Sequence, residues 1–137
     1  MRLAWQIARD TWKAGGASES FGTLLANYIR QGGYVVNFPD LFIAAMPVRL
    51  SEEGQPVSPP CGKDADTWFV HLASVTPDFV ARGEHPVAAF LRLAPFRLPF
   101  ATWQRRGQGL LRRYRTDRLA RFRPPQHEHE CLDAPPA

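Results

Sequence analysis

Eight arginines fall within residues 105–123: Arg105, Arg106, Arg112, Arg113, Arg115, Arg118, Arg121 and Arg123. Asp117 is the single acid among them. The segment therefore carries +7, the 137-residue chain +4, and the remainder −3. A guanidinium offers a planar fork of donors that matches a phosphate or a carboxylate. A local cationic patch of this kind points to phosphate, on nucleic acid, a cofactor or a lipid headgroup, or to an acidic protein surface. Trp103 stands beside the segment, and Tyr114 and Phe122 lie within it. Aromatic faces between basic groups are what single-stranded nucleic acid stacks upon. Arg105, Arg106, Arg112, Arg113, Arg115 and Arg118 are the candidate contacts. The same run also reads as a solvated charged helix, and no helix-turn-helix, zinc-finger or RNA-recognition motif accompanies it.

His71 is the second candidate. It lies in the middle of the apolar run Thr67–Val75. An imidazole titrates near neutral pH and can take a proton from an amine or hydroxyl. Strand alternation puts His71 on one face with Phe69, Ala73 and Val75, opposite Trp68, Val70 and Leu72. Its bland alternative is a hydrogen-bonded histidine among aromatic rings. Arg82-Gly83 is the third candidate, a guanidinium and a flexible amide for a phosphate, or an ordinary turn ahead of Pro86. His127, Glu128, His129, Glu130 and Cys131 are metal-ligand types, but their spacing is not that of a tetrahedral site, so no metal is expected. Cys61 and Cys131 form no CxxC pair, and a disulfide between them stays open.

These residues need elements to position them. Apolar residues at 3, 4, 7, 8 and 12 predict a helix over Leu3–Lys13. Gly15-Gly16 stops it, and Ser18 reads as the N-cap of a second helix over Glu19–Gln31. Gly32-Gly33 ends that helix. Tyr34–Phe38 and Leu41–Val48 read as strands around a Pro39-Asp40 turn. Residues 51–66 read as a long loop and Thr67–Val75 as a buried strand. A turn at Thr76–Asp78 leads to a helix opened by Pro86 and running to about Leu93. Phe100–Gln104 is a further strand. Gly107 and Gly109 mark a turn, and Leu110–Phe122 reads as a helix with a short strand after it.

The expected fold is α+β, a single mixed and mostly antiparallel sheet with helices packed on it. The expected organisation is an N-terminal helix over 1–16, one α+β domain over 17–123 and a Pro-rich, disordered tail over 124–137. Apolar content of 45% and charged content of 22% suit a globular chain. No apolar run approaches the roughly 20 residues of a membrane span. Arg9, Asp10 and Lys13 interrupt any signal-peptide core, so a cytoplasmic location without a membrane partner is expected.

The order of elements, with Val75-Thr76-Pro77-Asp78-Phe79 and Gly83 after the third strand, resembles the GNAT family of N-acetyltransferases. In that family the turn and helix after this strand hold the acetyl-CoA pyrophosphate on backbone amides. The resemblance implies acyl transfer from acetyl-CoA to an amine. It makes Arg82 and Gly83 cofactor-binding residues, His71 the general base and Tyr114 the acid that protonates the departing thiolate. It also implies that Trp68–Val75 and Phe100–Gln104 run parallel and splay apart, whereas a hairpin pairing 100–106 with 110–116 counts against it. Val80 stands where the family has Gln or Arg, and His85 where it has Gly or Ala. Those departures make the chain more similar to divergent, phage-encoded members than to working acetyltransferases. The alternative is a non-catalytic accessory protein, without cofactor, that contacts nucleic acid or an acidic partner through residues 105–123.

Overall fold

A computed structural model describes residues 2–16, 20–51, 64–103 and 113–120. Five helices and five strands lie among them: α1 Ala4–Ala14, α2 Phe21–Arg30, β1 Tyr34–Phe38, β2 Leu41–Val48, β3 Thr67–Val75, α3 Pro77–Ala81, α4 Pro86–Leu93, β4 Phe100–Trp103, β5 Arg113–Arg115 and α5 Thr116–Ala120. The strands form one sheet in the order β1-β2-β3-β4-β5. β1/β2, β2/β3 and β4/β5 are antiparallel, and β3/β4 is parallel. The expected α+β class with a single, mostly antiparallel mixed sheet is what forms. No helix among the described residues is long and apolar enough to cross a membrane.

β2 holds the sheet together. All eight of its residues are buried, because helices cover both faces of the sheet and a strand so placed must be apolar throughout. Leu41, Ile43 and Ala45 join Trp68, Val70, Phe79, Val87 and Phe90 in the cluster beneath α3 and α4. Phe42 meets Ala4, Ala8 and Phe21 beneath α1 and α2. The alanines at 4 and 8, 0% and 2% exposed, let α1 lie close against the strands. Pro47 costs no ladder bond on the β1 side, since β1 pairs only as far as Ala45.

Three local readings change. α2 is capped by Ser20, whose side chain accepts from the Thr23 N–H, rather than by Ser18, and it starts at Phe21. Residues 76–78 open a one-turn helix instead of a bare turn, with the buried Thr76 hydroxyl accepting from the Phe79 N–H at 3.4 Å. After β4 the order is strand then helix, the reverse of the expectation. Arg113, Tyr114 and Arg115 pair with Thr102, Ala101 and Phe100. The alternating pattern here is charged–aromatic–charged, and only Tyr114 is half-buried. Such an edge strand hides little apolar surface, so periodicity signals it weakly. Residues 52–63, 104–112 and 121–137, with the Gly107–Gly109 turn, the tail and both cysteine-bearing segments, lie outside the described residues.

Candidate functional site

The site begins with an irregularity in β3. Leu72 lies opposite Ala44 and Val70 opposite Ala45, so His71 is an extra residue with no partner across the ladder. A bulge of this kind turns the strand and shifts the alternation by one. Leu72 consequently packs with Phe42 beneath α1 and α2, while Val75 packs with Val70 and Trp68 on the other face. The expected grouping of His71 with Ala73 and Val75 is thereby corrected: uniform alternation fails at a bulge.

Among the described residues, β4 pairs with β3 from Thr67↔Phe100 to Val70↔Trp103. β3 runs on to Val75, and a cleft of about 480 Å³ opens beside that extension. His71, Ser74, Thr11, His85 and Trp103 line it, together with small and apolar side chains of α1, β3 and α4. Among the described residues, no Asp, Glu, Lys or Arg contributes to its wall.

His71 is fixed from the α2 side. Its Nδ1 and the Tyr28 hydroxyl share a hydrogen bond of 2.7 Å. Its ring stacks on Phe69 at 4.4 Å and meets Tyr28 edge-on at 5.2 Å. Desolvation pushes the imidazole below its ordinary pKa of 6.5, and a hydrogen bond with the Phe69 backbone offsets part of that. The neutral ring is therefore favoured near pH 7. Gly33 makes the arrangement possible, since a Cβ there would overlap the Tyr28 ring.

Tyr114 is held apart from His71's cleft. It stacks on Trp103 at 4.5 Å and 16°, and Trp103 in turn meets the His85 ring at 5.5 Å. Tyr114 thus supports a cleft wall without lining the cleft.

Arg82 and Gly83 are spent on structure. The Arg82 Nη2 donates to Asp40 Oδ2 at 2.6 Å and Nε to Glu84 Oε2 at 2.8 Å. These hydrogen bonds, Glu84's first, raise its pKa further. Its guanidinium also lies 5.3 Å from the Phe79 ring centroid. Gly83 adopts φ +73° and closes α3, its N–H donating to the Val80 carbonyl at 2.9 Å. Only a residue at ease with positive φ fits that turn.

The N-terminus of α4 is capped by a side chain that sequence reasoning did not assign. His85 Nδ1 accepts from the Val87 N–H at 3.1 Å and the Ala88 N–H at 3.4 Å. Its carbonyl accepts from the Ala89 N–H, and Pro86 at the first helical position has no N–H. The available signal was His85 directly before the helix-opening proline. Histidine is an uncommon cap beside Ser, Thr, Asp and Asn, so the signal is weak.

Of the six candidate arginine contacts, Arg105, Arg106 and Arg112 lie outside the described residues. Arg113 approaches Asp66 at 3.4 Å and sits 4.2 Å over the Phe100 ring. Arg115 pairs with Asp117 at 2.7 Å. Arg118 is exposed on α5. The chain matches no family model, no curated protein and no solved structure.

Proposed function

We propose that this chain is a GNAT-like α+β domain that works as a binding module, with the cleft between β3 and β4 as its ligand site, and not as an acyl-CoA-dependent transferase. The observation that carries this reading is the His85 cap. The backbone amides that would face a diphosphate at the start of α4 already donate to His85 Nδ1. A diphosphate there needs several N–H groups and close approach of the backbone. Here it meets an imidazole acceptor, a proline without a donor, and Asp40 and Glu84 on either side of Arg82. These residues do not suit the pyrophosphate of acetyl-CoA. The parallel β3/β4 pair supports the resemblance in scaffold, while the antiparallel β4/β5 pairing departs from it.

A second reading, acyl transfer with His71 as base, draws on one observation. A ring held neutral in a cleft can accept a proton from an amine. Its intended partner Tyr114 stands behind Trp103, so the acid–base pair is incomplete. The arginine reading draws on fewer groups than the sequence suggests, because Arg113 and Arg115 hold internal carboxylates. Free-thiol release from acetyl-CoA in the presence of polyamines, lysine peptides and aminoglycosides distinguishes binding from transfer. The expected rate is the same with and without protein. Protein-dependent thiol release that disappears in His71→Ala would overturn the binding-module reading.

A further inference from the structure

Pro95 drives Ala94 into extended backbone (φ −60°, ψ 143°), and α4 stops at Leu93. The turn from Pro95 to Pro99 then leads into β4. Within it Phe96 lies nearly flat on Trp68, with 4.9 Å between ring centres and 27° between planes. Trp68 is buried and braced edge-on by Phe90 and Tyr34. Phe96 therefore cannot sink further, and it stays 40% exposed. Tyr34, 38% exposed, meets it edge-on at 5.8 Å. Leu93, 50% exposed, stands three residues before it.

Arginines border this apolar floor. Arg92 and Arg97 flank Leu93 and Phe96 in sequence, and both are exposed. The Thr116 N–H donates to the Pro99 carbonyl, and its hydroxyl donates to the Leu98 carbonyl. These bonds bring the exposed Arg115 and Arg118 of β5 and α5 within roughly 15 Å of Arg97 along the backbone. The four arginines meet two carboxylates, Glu84 on Arg92 and Asp117 on Arg115, which leaves +2. In the sequence Arg121 and Arg123 follow α5.

A single exposed apolar side chain is ordinary on a protein surface. Here flat rings and guanidinium groups share one patch, and they ask for a partner with both flat faces and negative charge. Unpaired nucleotides have both, since their bases stack on aromatic rings and their phosphates pair with arginine. An acidic protein segment supplies the charge without the faces. An anionic membrane is entered by apolar side chains that protrude, whereas Phe96 lies flat on Trp68.

We infer that the surface made by Tyr34, Phe96, Arg92, Arg97 and Arg118 binds single-stranded nucleic acid. A base stacks on Phe96, and phosphates are held by Arg97 and Arg118. None of these residues lines the cleft, so this surface is independent of the ligand site between β3 and β4.

The test is fluorescence anisotropy of a labelled oligothymidylate of about 15 nucleotides, titrated with the full chain. Saturable binding is expected at low salt. It should weaken as salt rises, with a log–log slope of about −0.7 per phosphate neutralised. Phe96→Ala is expected to weaken binding about tenfold at an unchanged slope, and Phe96→Tyr to bind like the parent. Arg97→Gln with Arg118→Gln should make the slope shallower by about 1.4. The arginine variants leave the Trp68 stack intact, so they decide the matter if Phe96→Ala fails to fold. No saturable binding at low salt overturns the inference. A folded Phe96→Ala that binds like the parent, or an unchanged slope in the arginine double variant, also overturns it. So does binding to vesicles of anionic lipid with none to the oligonucleotide. Each of these failures leaves the cleft reading standing.

Discussion

His71 owes its properties to one hydroxyl, two rings and a glycine. Tyr28 reaches it only because Gly33 leaves room for the phenol ring. Phe69, two residues earlier on the same strand, stacks on it because strand alternation puts both side chains on one face. Its folded pKa is below the 6.5 of the unfolded chain. Between those two values the unfolded chain binds more protons than the folded one, so stability rises with pH through that window. The contribution is complete above about pH 6.5 and is lost as pH falls through the folded pKa. Urea unfolding across a pH series should therefore show a rise up to that point, and His71→Gln should remove that part of the slope. Identical pH profiles for the two proteins would mean that the ring is not desolvated in solution.

At the scale of elements, α4 shows what a cap does to function. An N-terminus with open amides attracts anions, whereas one already donating to a side chain does not. Removing a good cap costs about 1 kcal/mol. His85→Ala should lower stability by about that amount in denaturant unfolding, and backbone amide exchange should rise at Val87 and Ala88. An unchanged midpoint and unchanged exchange would show that the imidazole is not the cap. The same scale explains what was legible in the sequence. β1, β2, β3 and α4 occupy the residues assigned to them, because each has either an unbroken apolar run or a helical stripe between turn residues. The segment after β4 was misread because a charged strand and a charged helix differ little in pattern. The bulge was invisible for a different reason. It arises from the pairing of two strands, and Ala44-Ala45 and His71 carry no local mark of it.

For the whole molecule, charge and fold separate. The cluster of arginines dominates the sequence, yet the described part of it ties the sheet's far edge together through Asp66, Phe100 and Asp117. A cleft whose described lining is uncharged lies beside β3 beyond its described pairing with β4. His71 was legible as a candidate because a lone histidine in an apolar strand stands out. His85, Trp103 and Ser74 were not assigned to a site, since only the parallel crossover from β3 through α4 to β4 brings them to one cleft. Arg82 and Tyr114 were named for a cofactor phosphate and a departing thiolate. Each is held by partners distant in sequence, Asp40 in one case and Trp103 in the other. The most direct measurement of the central claim is calorimetric titration of acetyl-CoA into the full chain. No saturable heat is expected at ligand concentrations up to about 1 mM. Micromolar, stoichiometric binding that weakens on mutation of Arg82 would contradict it, because the start of α4 would then be holding a diphosphate.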